Sequence, residues 1–267
     1  MTTAEEANES RARSFGAAAD LYERYRPGYP AALFAHIAAQ VPGPRVLEIG
    51  AGTGIATREL LAAGLDVTAL EPDPQMAAVL ATKIDAVRVR AGTYEEFSDP
   101  VPFDGLVCFQ AWHWTADGRV DRAARLLGPG GYLGLVWNGG VFADPAVESA
   151  VETLYDEFDL HGHLRPGGMI ASAADRDVIE DPATSGPAVE LAAHPDLDYR
   201  GATKYAWQQA YTAEEFCGFQ ASTSSFLIMP AEQREALLAR TGDLIRERFA
   251  DRITVDWSTN CYNTRRY

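Results

Sequence analysis

Short continuous apolar runs alternate with helix-periodic stretches through the first half of this chain. Val46–Ile49, Asp66–Leu70, Phe103–Phe109 and Tyr132–Val136 have strand length and apolar character, and Val87–Arg90 reads as a short strand. Between them, Pro30–Gln40, Ile55–Ala63, Pro74–Lys83 and Arg119–Leu127 read as helices, with Pro30 and Pro74 suited to opening turns. Breaks fall at Pro42-Gly43-Pro44, Gly92-Thr93-Tyr94-Glu95 and Gly128-Pro129-Gly130-Gly131. Strand and helix in alternation predict parallel crossover units and an α/β sheet covered on both faces.

After Trp137 the alternation lapses. Ala146–Leu160 reads as an amphipathic helix, whereas 161–200 is rich in Gly, Pro, Ala and Asp with weak periodicity. Lys204–Gln209 is a candidate strand. Thr212 and Glu215 have capping-box spacing at the start of a helix to Gln220. Pro230–Phe249 reads as a long helix and Ile253–Tyr267 as a last strand or hairpin. Met1–Asp20 reads as a helix leading into the tyrosine- and arginine-rich segment 21–30.

The run Val46-Leu47-Glu48-Ile49-Gly50-Ala51-Gly52-Thr53-Gly54 passes from strand to helix through three glycines at alternate positions. Backbone without Cβ atoms lets a ligand come close. The next strand leads into Glu71, where a carboxylate can accept hydrogen bonds from both hydroxyls of a ribose. A dinucleotide turn needs glycine at its first, third and sixth places, and counting from Gly50 the sixth is Ile55. Together these features predict a nucleoside-containing cofactor held without phosphate recognition. Gly50, Glu71, Gly92 and Gln110 each follow a predicted strand and should converge at the carboxyl ends of the sheet.

On Glu48, Gly50, Gly52, Gly54 and Glu71 the chain resembles the class I S-adenosylmethionine-dependent methyltransferases, in particular those acting on small molecules. The resemblance implies a doubly wound, Rossmann-like α/β fold of seven strands with the last strand antiparallel. A helical or irregular insertion would form the substrate cap. It divides the chain into an N-terminal lid helix (1–30), a cofactor-binding core (31–138), the cap insertion (139–200) and a C-terminal completion of the sheet (201–267). It also implies that Gly50, Ala51, Gly52 and Gly54 pass the methionine part of the cofactor and that Glu71 holds the ribose. Pro72 and Met76 would lie near the adenine, with Thr93 and Tyr94 at the place beside its amino group. Gln110 and Ala111 would touch the cofactor. The segment 22–30 resembles a cofactor-covering tyrosine-arginine-proline segment. There Arg26 would pair with the cofactor carboxylate and Tyr22 would face the sulfonium; the pattern does not separate Arg24 from Arg26. Met76 also suits plain core packing.

Gln110-Ala111-Trp112-His113-Trp114 follows the fourth strand, where acceptor and methyl group should meet. His113 is the candidate general base, with Tyr22 as the second catalytic candidate. Trp112 and Trp114 would either line the site or belong to the core. Asp104, which opens its strand, suits a structural role.

Composition narrows the setting. With 23 basic and 38 acidic residues, the net charge of −15 opposes nonspecific attraction to nucleic acid or anionic membrane. Cys108, Cys217 and Cys261 are scattered, without disulfide or metal-ligand spacing. His161 and His163, with Asp156 and Asp159 upstream, lack a recognised ligand spacing, so no metal is expected. The polar, charged N-terminus lacks a signal-peptide pattern, and the expectation is a cytoplasmic monomer or homodimer. The expected reaction is methyl transfer to a nitrogen or oxygen nucleophile of a small molecule, such as a natural-product intermediate. Because fold does not fix reaction, the alternative is a methyltransferase-like scaffold turned to cyclisation, elimination or hydrolysis.

Overall fold

The computed structural model describes residues 18–85, 87–160, 169–171 and 186–267. A helix α1 (Ala19–Tyr25) precedes α2 (Ala31–Gln40), β1 (Arg45–Ile49), α3 (Ile55–Ala62), β2 (Asp66–Glu71), α4 (Pro74–Lys83), β3 (Arg88–Ala91) and β4 (Phe103–Phe109). Then follow a single 3-10 turn (Trp112–Trp114), α5 (Arg119–Leu126), β5 (Leu127–Phe142), α6 (Pro145–Glu157), α7 (Gly186–Ala192) and β6 (Leu197–Tyr211). Helices α8 (Ala213–Ala221), α9 (Ser224–Leu227) and α10 (Ala231–Arg248) lead to β7 (Ile253–Arg266).

The strands form one seven-stranded sheet in the order β3-β2-β1-β4-β5-β7-β6. Strands β1 to β5 pair in parallel, and β7 runs antiparallel to both β5 and β6. The expected doubly wound sheet with an antiparallel last strand is therefore the observed one. The order reverses beside β1, whose carboxyl end carries the glycine turn. Of β1, only Arg45 at its start is not buried, as expected of a central strand covered on both faces. Edge strand β3 has no buried residue.

Two strands are much longer than their sequence pattern suggested. The run Tyr132–Val136 is the middle of the 16-residue β5, and Lys204–Gln209 lies within the 15-residue β6. Glycines hid the first, since they weaken a strand unless a neighbour occupies the missing side chain's place. A Cβ on Gly140 would stand 2.8 Å from Val255 Cγ1, and one on Gly134 2.8 Å from the Tyr132 ring. The second is an edge strand with half-exposed polar residues, fixed by pairing with β7 from Leu197–Arg266 to Tyr211–Ile253. The connection from β5 to β6 is thus 143–196, shorter at both ends than the expected 139–200.

Val136 pairs with Phe109 at the end of β4, and β5 continues for another six residues to Phe142. That overhang and the β6 and β7 ends beside it carry a second apolar cluster. There Phe142 and Trp257 meet Val151 and Tyr155 of α6, Phe216 and Phe219 of α8, and Ile245 of α10. The cluster stands beyond the carboxyl ends of the parallel strands. Thr212 caps α8 with the anticipated reciprocal bonding to Glu215.

Candidate active site

The chain turns from β1 into α3 through Gly50–Gly54, and Gly50 and Gly52 hold φ of +69° and +60°. The two glycines serve different needs. A Cβ on Gly50 would stand 2.5 Å from the Cβ of Ala111, so the turn closes directly on the segment after β4. Around a Cβ on Gly52 nothing comes nearer than Met76 Cε at 3.6 Å, with Tyr22 Cε1 at 3.8 Å. A Cβ at Gly52 would therefore make ordinary contacts rather than a clash, and what calls for glycine there is the left-handed φ.

Glu71 closes β2 and is buried. Its Oε2 accepts from the Gly52 N–H at 2.7 Å, and Oε1 accepts from the Asp73 N–H at 2.9 Å. Each carboxylate oxygen has a second acceptor position, so two further hydroxyl donors can be received. Burial pushes the Glu71 carboxyl up to about 7, with the Asp73 and Gly52 amides opposing. Glu48, 1% exposed, accepts from Thr57 Oγ1 at 2.6 Å. Burial lifts it to about 8 despite that bond, and nearby Glu71 adds to the rise.

Helix α1 is pinned over the turn by Glu23, whose Oε1 meets Arg58 at 2.8 Å and Lys83 at 3.3 Å. The structure separates the two arginines that the pattern left equivalent. Arg24 is 68% exposed and pairs with Glu214 at 3.1 Å. Arg26 turns inward, with Cζ 4.7 Å from the Tyr22 ring centroid. Its guanidinium donates to Met169 Sδ at 2.8 Å and to the Ser222 carbonyl at 3.0 Å, while Nε is buried with no partner among the described residues. Burial lowers its pKa, yet a guanidinium stays charged in proteins. Among the described residues the acceptors on this buried cation are neutral, and a cation so held calls for an anion.

Arg26, Tyr22, Tyr29, Glu48, Gly50 and Gln110 line one cleft of about 400 Å³, counting the solvent in its open mouth. Gln110 holds φ of +58°, uncommon for a residue with a side chain. Its Nε2 donates to the Asn138 carbonyl at 3.0 Å, and Asn138 Nδ2 donates to the Gly28 carbonyl at 3.0 Å. Thr259 Oγ1 donates to Asn138 Oδ1 at 2.6 Å. This chain of bonds ties the end of β4, β5, β7 and the segment after α1 around the cleft.

A methyltransferase-domain family model matches residues 46–131, which span the glycine turn and Glu71. Uncharacterized methyltransferases of Mycobacterium bovis and Mycobacterium tuberculosis are 43% identical over 127 residues, 47% of this chain and 52% of theirs. One from Bacillus cytotoxicus is 35% identical over 114 residues, 40% of this chain and 53% of its own. The chain spans about half the length of these curated relatives. A solved protein described as a type II methyltransferase, from Anaeromyxobacter dehalogenans, shares the fold: its TM-score is 0.63 at 20% identity, with 90% of this chain and 97% of that one covered. Residues 46–131 thus match a methyltransferase domain.

Not every residue expected in the methyltransferase site lines the cleft. Tyr22, Arg26, Glu48, Gly50, Ala51 and Gln110 do. Met76 is buried and Ala111 half-buried, both against the turn. Gly54 instead caps α3, where a Cβ would meet Ile84 Cδ1 at 2.8 Å. Pro72 and Thr93 follow β2 and β3 outside the cleft, with Thr93 Oγ1 taken up by the Glu96 amide at 3.4 Å. Tyr94 is core: its hydroxyl donates to the Arg119 carbonyl at 3.1 Å and its ring lies 5.8 Å from Trp112.

Trp112 is also core, and its Nε1 donates to Glu190 at 3.3 Å. His113 is exposed on the 3-10 turn, outside the cleft, with its ring centroid 4.6 Å from that of Trp114. The surrounding protein desolvates the imidazole and, with Arg119, lowers its pKa to about 4. The ring's exposure limits this fall, but the imidazole is neutral at pH 7 in either case. Asp104 takes the structural role expected of it, accepting from the Arg45 N–H at 3.0 Å.

Among the described residues, no three metal-ligating side chains cluster and no helix is long and apolar enough to cross a membrane. His161 and His163 lie outside the described residues. Sequence reasoning missed Asn138, Met169 and Phe109 in and around the cleft. They belong to no local motif and reach the site only through the sheet order and the 169–171 segment.

Proposed function

We propose that this chain transfers a methyl group from S-adenosylmethionine to a nitrogen or oxygen nucleophile of a small molecule, with natural-product intermediates a suitable class. One observation carries the reading. A buried guanidinium, Arg26, shares a cleft with the glycine turn and has an Nε without a partner among the described residues, so the cleft suits a ligand with an anionic group. The Gly52 amide, bonded to an acid that can receive two hydroxyls, fits the nucleoside end of the same molecule.

When bound, the cofactor supplies a methyl group made electrophilic by its sulfonium. Arg26 holds the cofactor carboxylate, and Glu71 holds the ribose hydroxyls. The Tyr22 ring offers its face to positive charge. Gly50, Ala51 and Gly52 bring the backbone of the turn close to the methionine part, and Gln110 with Ala111 bounds the methyl-donor end. Met76, buried against the glycine turn, borders the adenine side. Residues 18–30 cover the cofactor, and the described residues that follow β5 border the acceptor. The residues act chiefly by positioning the reactants and excluding water. For a hydroxyl acceptor, neutral His113 is the candidate base; a neutral amine needs none. The strongly acidic surface suits a small-molecule acceptor in a cytoplasmic monomer or homodimer better than a nucleic acid.

Calorimetric titration with S-adenosylhomocysteine tests the reading. Arg26→Met should lower affinity at least roughly tenfold, about 1.4 kcal/mol. Because the variant removes an unpaired buried cation, its melting temperature should not fall. Unchanged affinity would remove the carboxylate assignment, and no binding by the parent protein would remove the cofactor.

A further inference from the structure

Arg119 opens helix α5, where the helix dipole disfavours a positive charge. Its bonds offset that cost. Nε and Nη2 donate to Glu190 Oε1 and Oε2 of α7 at 2.7 and 3.0 Å, a forked pair whose side chains are 26% and 29% exposed. Nη1 donates to the Trp112 carbonyl at 3.0 Å and to that of Thr115 at 3.4 Å. Trp112 Nε1 donates to the same Glu190 at 3.3 Å. One ion pair therefore spans α7, the start of α5 and the 3-10 turn after β4.

That turn continues directly from the cleft wall. Gln110 precedes it with φ of +58°, a conformation that persists in a residue with a side chain only where the surroundings enforce it. On the sheet side, its N–H donates to the Val136 carbonyl at 2.9 Å and its Nε2 to that of Asn138 at 3.0 Å. On the far side, the Trp114 N–H donates to the Ala111 carbonyl at 2.9 Å. The Trp112 carbonyl receives the Thr115 N–H, Thr115 Oγ1 and Arg119. Ala111 sits so close to β1 that a Cβ on Gly50 would stand 2.5 Å from its own. A shift of the 3-10 turn is thus passed to the Gln110–Ala111 wall, which either presses on the glycine turn or leaves it.

The geometry points to Arg119 and Glu190 as positioning residues for the cofactor cleft. The forked pair holds the turn after β4 so that Gln110 and Ala111 stand at the methyl-donor end, and it makes that wall depend on the docking of α7. This rests on the cofactor reading of the cleft and goes beyond it. Neither side chain lines the cleft, so both act through Trp112. Groups that only support a binding wall matter because small displacements of the contacting atoms are costly.

The test is calorimetric titration of the full chain with S-adenosylhomocysteine, at a temperature well below the measured melting point of every variant. Glu190→Gln and Arg119→Met should each weaken binding roughly fivefold or more. Arg119→Lys keeps a charge for Glu190 but lacks the fork that reaches the Trp112 carbonyl at the same time. It should regain melting temperature relative to Arg119→Met without regaining affinity. Asp121→Asn controls for the docking of α7 alone, since Asp121 Oδ1 meets His194 Nε2 at 2.9 Å just beyond α7; its affinity should equal the parent's. Lower melting temperatures with unchanged affinity in Glu190→Gln and Arg119→Met overturn the inference and leave the cofactor reading intact. So does full affinity in Arg119→Lys, or an equal weakening by Asp121→Asn. No binding by the parent protein overturns the cofactor reading and this inference together.

Discussion

Replacing Glu48 by Gln should stabilise the ligand-free protein at neutral and alkaline pH and do little in acid. Glu48 is 1% exposed and its carboxyl has a pKa of about 8, raised by burial from 4.5. The native state therefore holds a proton that the unfolded chain releases, and stability falls as pH rises from 4.5 through about 8. At about 1.4 kcal/mol per pH unit, the loss reaches about 3 kcal/mol at pH 7 and at most about 5 kcal/mol above pH 8. Glutamine keeps an oxygen to accept from Thr57 Oγ1 at the observed 2.6 Å and cannot ionise. Urea unfolding of parent and variant from pH 4 to 9 gives the difference curve directly. It should be near zero below pH 4.5, climb in favour of the variant, and level off past pH 8. Parallel profiles would refute the reasoning, since they would mean that Glu48 ionises as freely in the fold as in the unfolded chain.

The glycine turn separates structure from binding. Gly50→Ala, with its Cβ 2.5 Å from Ala111 Cβ, should destabilise the fold by about 2 kcal/mol or more in denaturant titration. Gly52→Ala meets nothing closer than 3.6 Å and should cost only the left-handed strain of about 1–2 kcal/mol, losing S-adenosylhomocysteine affinity instead. Equal stability losses with equal affinities would refute the distinction. Glu71→Ala should weaken S-adenosylhomocysteine at least roughly tenfold in calorimetry. Glu71→Gln, which can still receive the Gly52 amide at its observed 2.7 Å, controls for the turn; unchanged affinity in both variants removes the ribose assignment. His113→Ala should lower turnover of a hydroxyl acceptor more than cofactor affinity and leave an amine acceptor untouched. Full turnover on the hydroxyl acceptor would leave the ring as structure.

Local pattern alone determined the parallel half of the sheet, the glycine turn and Glu71 as its companion. Each is written in a few adjacent residues: an apolar run that only a buried strand satisfies, glycines where φ is positive, an acid at a strand end. The Thr212–Glu215 cap was legible for the same reason. Tertiary structure decided what depends on partners far along the chain. The length of β5 came from Val255 and Trp257 of β7 filling the space beside Gly140, and β6 exists as a 15-residue edge only because β7 pairs with it. The choice of Arg26 over Arg24 came from the pinning of α1, which sends one guanidinium to Glu214 and the other beneath Tyr22. Tyr94 and Trp112 joined the core because Arg119 and Glu190 satisfy their polar atoms there.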